Sequence, residues 1–184
     1  LSGNYVLITD PDAVIVDIAD IADGGDDIET FKGILTPGLI NCHCHLELSH
    51  MKGSIPPGTG MVPFLLAVMS QRTATMEIIL EAIETAETSM LDAGIVAVGD
   101  ICNTDSTTGR KLLGRMTYHN FVEVSGFAGA AAATRFSNAV QLQKQLAVTG
   151  TTTIVPHAPY SVSPELFHLI NNHAQGQIIT MHNQ

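Results

Sequence analysis

From Thr36 onward the sequence alternates short apolar runs with helix-patterned stretches, and this alternation restricts the fold more than any other feature. The runs are "GLINCHCH", "IVAVGDI", "YHNFVEV", "TTTIVPH" and "QIITMH". Each has the length of a buried strand and lies between turn or helix signals. The clearest helix is "TMEIILEAIETAETSMLDAG", where Met76, Ile79, Leu80, Ile83, Ala86 and Met90 recur at helical spacing and Gly94 supplies a stop. "STTGRKLLGRM" and "SNAVQLQKQLAV" read as further helices, and Ser163 and Pro164 suit the cap and first turn of one through "ELFHLINNHA". Such alternation builds parallel βαβ units, hence an α/β fold. The Gly-rich phosphate turn of a dinucleotide-binding sheet is absent after the first run, which favours a TIM barrel over a doubly wound sheet. Residues 37–184 are therefore expected to form about five strands of an incomplete (β/α)8 barrel. Residues 1–36, with "NYVLIT", "AVIVDI" and "ETFKGIL", are expected to form part of a small β-sandwich.

Charge narrows the partners. With 8 Lys and Arg against 18 Asp and Glu, the formal net charge of −10 opposes the phosphate neutralisation that drives nucleic-acid binding. A small-molecule substrate is expected instead, with neither nucleic acid nor membrane as partner. No apolar run approaches the roughly 20 residues of a membrane span. Three cysteines make a disulfide framework improbable and a reducing, cytoplasmic setting the natural one.

Barrel chemistry collects at the C-terminal ends of strands, where this sequence places His43, His45, Asp100, Glu123, His157 and His182. Side chains alternate along an extended segment, so Asn41, His43 and His45 share one face and Cys42 and Cys44 the other. Two imidazoles at i and i+2 can converge on one ion, and His182 can supply a third nitrogen from the same rim. Three neutral imidazoles with open positions describe a catalytic site better than a structural one. An ion so held lowers the pKa of its water from 15.7 toward about 7. A thiolate site would need more cysteines than Cys102 adds, so Cys42 and Cys44 read as small core residues.

"PGLINCHCHLELSHMKG", "VPHAPYSVS" and "MHNQ", in this order, resemble the amidohydrolase superfamily. The likeness is to its branch of aminohydrolases and deaminases, which includes S-adenosylhomocysteine, aminodeoxyfutalosine and guanine deaminases and related chlorohydrolases. It runs from about Thr36 to the last residue. The resemblance implies that His43, His45 and His182 ligate one divalent metal, zinc first and iron as the alternative, and that His157 faces the substrate. It implies hydrolytic deamination of a purine-like or related heterocycle through attack of metal-activated water, with a chlorohydrolase or amide hydrolase as the runner-up. The branch also carries a proton-shuttling glutamate three positions after the fifth-strand histidine, which would fall just beyond Gln184. A sixth-strand histidine and an eighth-strand aspartate are missing from the sequence as well. The chain thus reads as a fragment with no catalytic acid or base of its own, expected to be inactive and to self-associate through its open sheet edges. A noncatalytic metal-binding or assembly role is the competing reading.

Weaker expectations attach to other polar residues. Glu47, two positions after His45, is a candidate to share its face and bind a substrate amine, set evenly against a salt-bridged or solvated role. Glu123 alternates with Phe121 on one strand face and is a candidate to point into the barrel, with a buried structural hydrogen bond the preferred reading, and Asp100 reads as a residue that orients a neighbour or caps a loop. His50, His168 and His173 read as surface residues. "GSIPPGTGM" reads as a loop over the rim of the site.

Overall fold

The computed structural model describes residues 4–183. Contacts divide the chain into a unit ending at Pro37 and a unit beginning at Gly38. In the first, β1 (Tyr5–Thr9) and β2 (Ile15–Asp20) form an antiparallel hairpin. Asp10 closes its loop by accepting the backbone N–H groups of Asp12 and Val14 through Oδ1. The stretch "ETFKGIL" was a candidate third strand here, but residues 29–35 form none. They find no strand partner, and Phe31, Ile34 and Leu35 remain 75–92% exposed.

The second unit holds β3 (Leu39–Cys44), β4 (Ile95–Cys102), β5 (Thr117–Val124) and β6 (Thr151–Pro156), all parallel and in the order β3-β4-β5-β6. Strand order follows chain order without reversal, as in a barrel wall and unlike the switch point of a doubly wound sheet. The helices are α1 (Met61–Gln71), α2 (Met76–Asp92), the single turn α3 (Thr108–Lys111), α4 (Ala132–Leu146) and α5 (Pro164–His173). Thr75 and Ser163 cap α2 and α5 by accepting the N–H groups of Ile78 and Leu166.

The fold is α/β with four strands of a barrel, and no closed barrel is present among the described residues. The fifth expected strand, "QIITMH", does not form. Its recorded backbone link to β6 is a bond from His182 N–H to the His157 carbonyl at 2.8 Å, and Ile178 and Ile179 stay more than half exposed. Apolar residues of strand type become a strand only where a ladder and a covering layer are available. Gln184 and the glutamate expected after it lie outside the described residues.

Alternation along the strands separates core from cavity. On β5, Tyr118, Asn120, Val122 and Val124 face the helices, while His119, Phe121 and Glu123 take the other face. Leu146, Ile154, Leu166 and Ile170 join Val122 and Val124 beneath α4 and α5, each almost fully buried and worth about 1.5–3 kcal/mol relative to exposure. On α2 the buried face runs through Ile83 to Glu87, whereas Met76 and Leu80 are exposed. The Glu87 carboxylate takes the place of an apolar residue because the Tyr118 hydroxyl (2.8 Å) and the Arg110 guanidinium both donate to it.

A second buried ion pair ties the sheet to the segment after β3. Asp100 and Lys111 have fully buried side chains with Oδ2 and Nζ 2.6 Å apart. Nζ also donates to Asn120 Oδ1 at 2.7 Å, and Asp100 Oδ1 accepts the Leu46 N–H at 2.9 Å. Breaking such a pair from one side strands the other charge. Lys111→Met is therefore expected to destabilise the protein by about 3–5 kcal/mol, read from the urea midpoint. A loss below about 1 kcal/mol would show that the pair is not an ionic anchor.

Candidate functional site

The rim chemistry begins where β3 ends. Past Cys44 the chain leaves the extended conformation at His45 and enters a 3₁₀ helix over Leu46–Met51, with Leu46 fully buried and its N–H held by Asp100. This anchor fixes the direction in which His45 departs from the sheet. The β3 ladder is irregular between Asn41 and Cys44, yet the His43 and His45 rings still meet, with centroids 5.2 Å apart.

His182 approaches them from the far side of the rim. Its ring centroid lies 4.8 Å from that of His43 and 5.3 Å from that of His45. One ligand nitrogen from each of the three rings falls within 4.8 Å of the others. The Nε2 atoms of His45 and His182 are 3.3 Å apart. Two nitrogens bound at about 2.0–2.1 Å to one tetrahedral ion would be separated by about 3.3–3.4 Å, so the spacing suits a shared metal. The tautomer suits it too. His182 Nδ1 lies 3.1 Å from the His157 carbonyl, which can only accept, so Nδ1 carries the proton and Nε2 keeps its lone pair. The donor set fits a divalent ion of the zinc class.

Electrostatics favour the neutral rings that a metal requires. Burial holds the His45 pKa down to about 4, helped by His43, His182, His157 and Arg72; burial and then His182 also lower that of His43. The nearby thiols do not compete. Burial raises Cys44 to about 12 and raises Cys102 as well, so both stay protonated, and Cys102 donates to Asp100 Oδ2 at 3.4 Å. Cys44 packs against the core beneath α2, but Cys42 is exposed rather than a core residue.

These rings line a cavity of about 750 Å³. His157, Glu123 and Asn103 continue its polar lining, and the loop Ile55–Gly60 with Phe64, Leu65 and Val68 of α1 supplies most of its apolar lining. His157 follows β6; its Nδ1 is 2.7 Å from Ser161 Oγ, leaving Nε2 as its free ring nitrogen. Glu47 is placed differently from the sequence expectation. It is 4% exposed and absent from the cavity wall, and its Oε2 accepts from Asn103 N–H, Thr104 N–H and the Thr104 hydroxyl at 2.7–3.1 Å. Face-sharing at i+2 holds only in extended chain, and the 3₁₀ turn carries Glu47 away from His45. Glu123, weighed between pointing into the barrel and a structural hydrogen bond, borders the cavity and forms with His157 and His182 a second set of ligand atoms within 4.8 Å. Its alternation with Phe121 was the available signal. Asn103 and Arg72 also line the cavity, and no motif in the sequence marks them; Tyr160, within "VPHAPYSVS", lines it too. His50 donates from Nε2 to the Arg72 carbonyl (3.0 Å) and lies outside this cavity, as do His168 and His173.

Residues 34–182 match the sequence pattern of the amidohydrolase family. The chain belongs to that family. Among solved structures it is similar to an aminofutalosine deaminase from Helicobacter pylori complexed with methylthio-coformycin, at 22% identity and a TM-score of 0.83 over 98% of this chain and 46% of that one. It is also similar to a guanine deaminase from C. acetobutylicum with bound guanine (14% identity, TM-score 0.72, 97% of this chain and 47% of that one). A third similar structure is the atrazine chlorohydrolase of Arthrobacter aurescens TC1 complexed with zinc (16% identity, TM-score 0.67, 98% of this chain and 51% of that one). The chain spans about half the length of each. At these identities the likeness establishes the fold. No curated protein matches the chain.

A histidine whose pKa is depressed on folding stabilises the folded state above its unfolded pKa, and that contribution is lost as pH falls toward the folded value. For His45 the window runs from about 6.5 down to about 4. Metal-free protein should therefore lose up to about 1.4 kcal/mol per pH unit across it from this group alone. Urea titrations at pH 7 and pH 5 measure the slope, which His45→Gln should reduce; an unchanged slope would mean that His45 is not the titrating group.

Proposed function

We propose that the protein belongs to a metal-dependent hydrolase that deaminates a purine-like or related heterocycle, with His43, His45 and His182 holding the metal. The observation that carries this reading is the 3.3 Å approach of His45 Nε2 to His182 Nε2 in the lining of a cavity large enough for a heterocycle. Zinc is the preferred ion, supported by the donor chemistry and by the zinc in the chlorohydrolase relative, with iron as the alternative. When bound, the ion supplies acidified water as the nucleophile.

The chain's own groups do the rest. The His157 carbonyl fixes the His182 tautomer, and the His157 ring offers Nε2 to a ligand in the cavity. The apolar wall of Ile55, Phe64, Leu65 and Val68 suits a flat ring and excludes water. Deaminase and chlorohydrolase relatives share this fold, so dechlorination is the second reading, favoured by the zinc-bound chlorohydrolase. A cytoplasmic setting is proposed on the three free thiols. No helix among the described residues is long and apolar enough to cross a membrane.

Calorimetry with zinc tests the site. One ion per chain is expected, and His45→Gln or His182→Gln should weaken binding by more than the roughly 10–100-fold that outer partners of a ligand contribute. Unchanged affinity in both variants would reject the site. In a chain extended through the eighth barrel strand, ammonia release from aminopurines supports deamination, whereas chloride release from chlorotriazines supports the second reading.

We also propose self-association. Leu39 and Ile40 on the outer strand β3, with Ile178 and Ile179 after α5, are 55–68% exposed. Light scattering at micromolar concentration should give a mass above that of one chain, and a monomer would overturn this expectation.

A further inference from the structure

Glu123 is placed as a ligand-reading residue is placed. It lies one residue from the C-terminal end of β5, on the strand face opposite the helices, and borders the cavity. Its side chain is only 9% exposed. The two carboxyl oxygens differ. Oε2 accepts from Asn103 Nδ2 at 3.2 Å, and the same amide donates to the Glu123 carbonyl at 3.3 Å. Oε1 is fully buried and has no hydrogen-bond donor. His182 Nδ1 lies 3.2 Å from it, but the single proton there is directed at the His157 carbonyl. Buried acceptors without a donor are rare in folded proteins, and one on a cavity wall is completed when a ligand brings the donor.

Asn103 is itself held. Its backbone N–H donates to Glu47 Oε2, which also takes both donors of Thr104. A continuous chain of bonds therefore runs from Glu47 through Asn103 to Glu123 and fixes the Glu123 carboxylate at the cavity wall.

We propose that Glu123 is the acceptor that binds an N–H group of the ligand, selecting amino- or amidine-bearing heterocycles, and that Glu47 and Asn103 are positioning residues for it. The ligand class rests on the hydrolase reading above, but the assignment of the acceptor does not depend on turnover. Glu47, anticipated to touch a substrate amine, acts two residues removed, and Glu123 makes the contact.

The test uses 4-fluorobenzamidine, which presents amidine N–H donors on a flat ring, and 4-fluoroacetophenone, a similar shape without them. Binding of each to the 184-residue protein is followed by fluorine NMR, and zinc affinity is measured in parallel. The benzamidine should bind more tightly than the ketone. Glu123→Gln should weaken the benzamidine at least 10-fold, leave the ketone unchanged and leave zinc affinity within about 2-fold. Asn103→Leu, which frees Oε2 without touching the acceptor, should weaken the benzamidine by a smaller factor, again without loss of zinc. A circular dichroism spectrum and urea midpoint matching wild type establish that each variant is folded; if Glu123→Gln is not, Glu123→Asp, which withdraws the oxygen by one methylene, takes its place with the same expected loss.

Equal binding of the two probes, or benzamidine affinity insensitive to Glu123, overturns the proposal. So does a 10–100-fold loss of zinc affinity with benzamidine binding intact, which would assign Glu123 to the orientation of His182. Insensitivity to Asn103→Leu removes the positioning role. Failure of zinc to bind while the benzamidine remains sensitive to Glu123 would sink the metal reading and leave this inference standing.

Discussion

Asp100 is the residue on which the geometry of the second unit turns. One oxygen holds the Leu46 N–H, the other the Lys111 ammonium, and Lys111 passes the connection to Asn120 on β5. Asn120 in turn donates to Thr149 and Thr152 at the start of β6. A single polar path thus joins the exit of β3 to β4, β5 and β6 through the helix side of the sheet. Charges in such a place are tolerated only when the whole network is satisfied, because desolvation otherwise outweighs their attraction. The consequence for function is positional. Leu46 directly follows His45, so the network that closes the sheet also sets the angle at which the first-strand histidines leave it.

The parallel strands then divide labour by face. On β5, Asn120 and Val122 serve the layer beneath the helices while Phe121 and Glu123 serve the interior and the cavity. The same period of two that gives the sheet its core gives the rim its chemistry. Among the described residues Glu123 Oε1 has no hydrogen-bond donor, and His45 Nε2 meets the Nε2 of His182 at 3.3 Å. The contrast with Glu87 is instructive: more deeply buried, it is surrounded by Tyr118, Arg110 and Arg115, and both its oxygens have partners.

Much of this was legible in residue order because it depends on local period. Strands β3 to β6, the α2 helix and the Ser163 cap follow from patterning and capping chemistry, and the meeting of His43 and His45 follows from their spacing at the end of β3, whereas His182 joins them although its expected strand does not form. What failed did so for nonlocal reasons. "ETFKGIL" and "QIITMH" have strand composition but lack partners, so composition overstated them. Met76 and Leu80 fit the α2 period yet lie exposed, because the contact face is decided by where Tyr118 and Arg110 arrive. Asn103 carries no pattern at all, since its role arises from a loop that meets Glu47 across 56 residues.

Glu47 shows how spacing can mislead within one motif. In "HCHLEL" the histidines obey strand alternation, and extending that rule by two residues would put Glu47 beside them. The backbone changes at His45, where ψ is 74°, and the next residues coil into a 3₁₀ turn. From there period three replaces period two. The glutamate swings under the rim and gathers three donors from Asn103 and Thr104, while a different glutamate, 76 positions later in the sequence, takes the place beside the histidines. The motif therefore encodes two tasks in adjacent turns, offering nitrogen to the cavity from its extended half and stabilising the loop that frames the cavity from its coiled half. The point where one task passes to the other is the Leu46 N–H in the grip of Asp100.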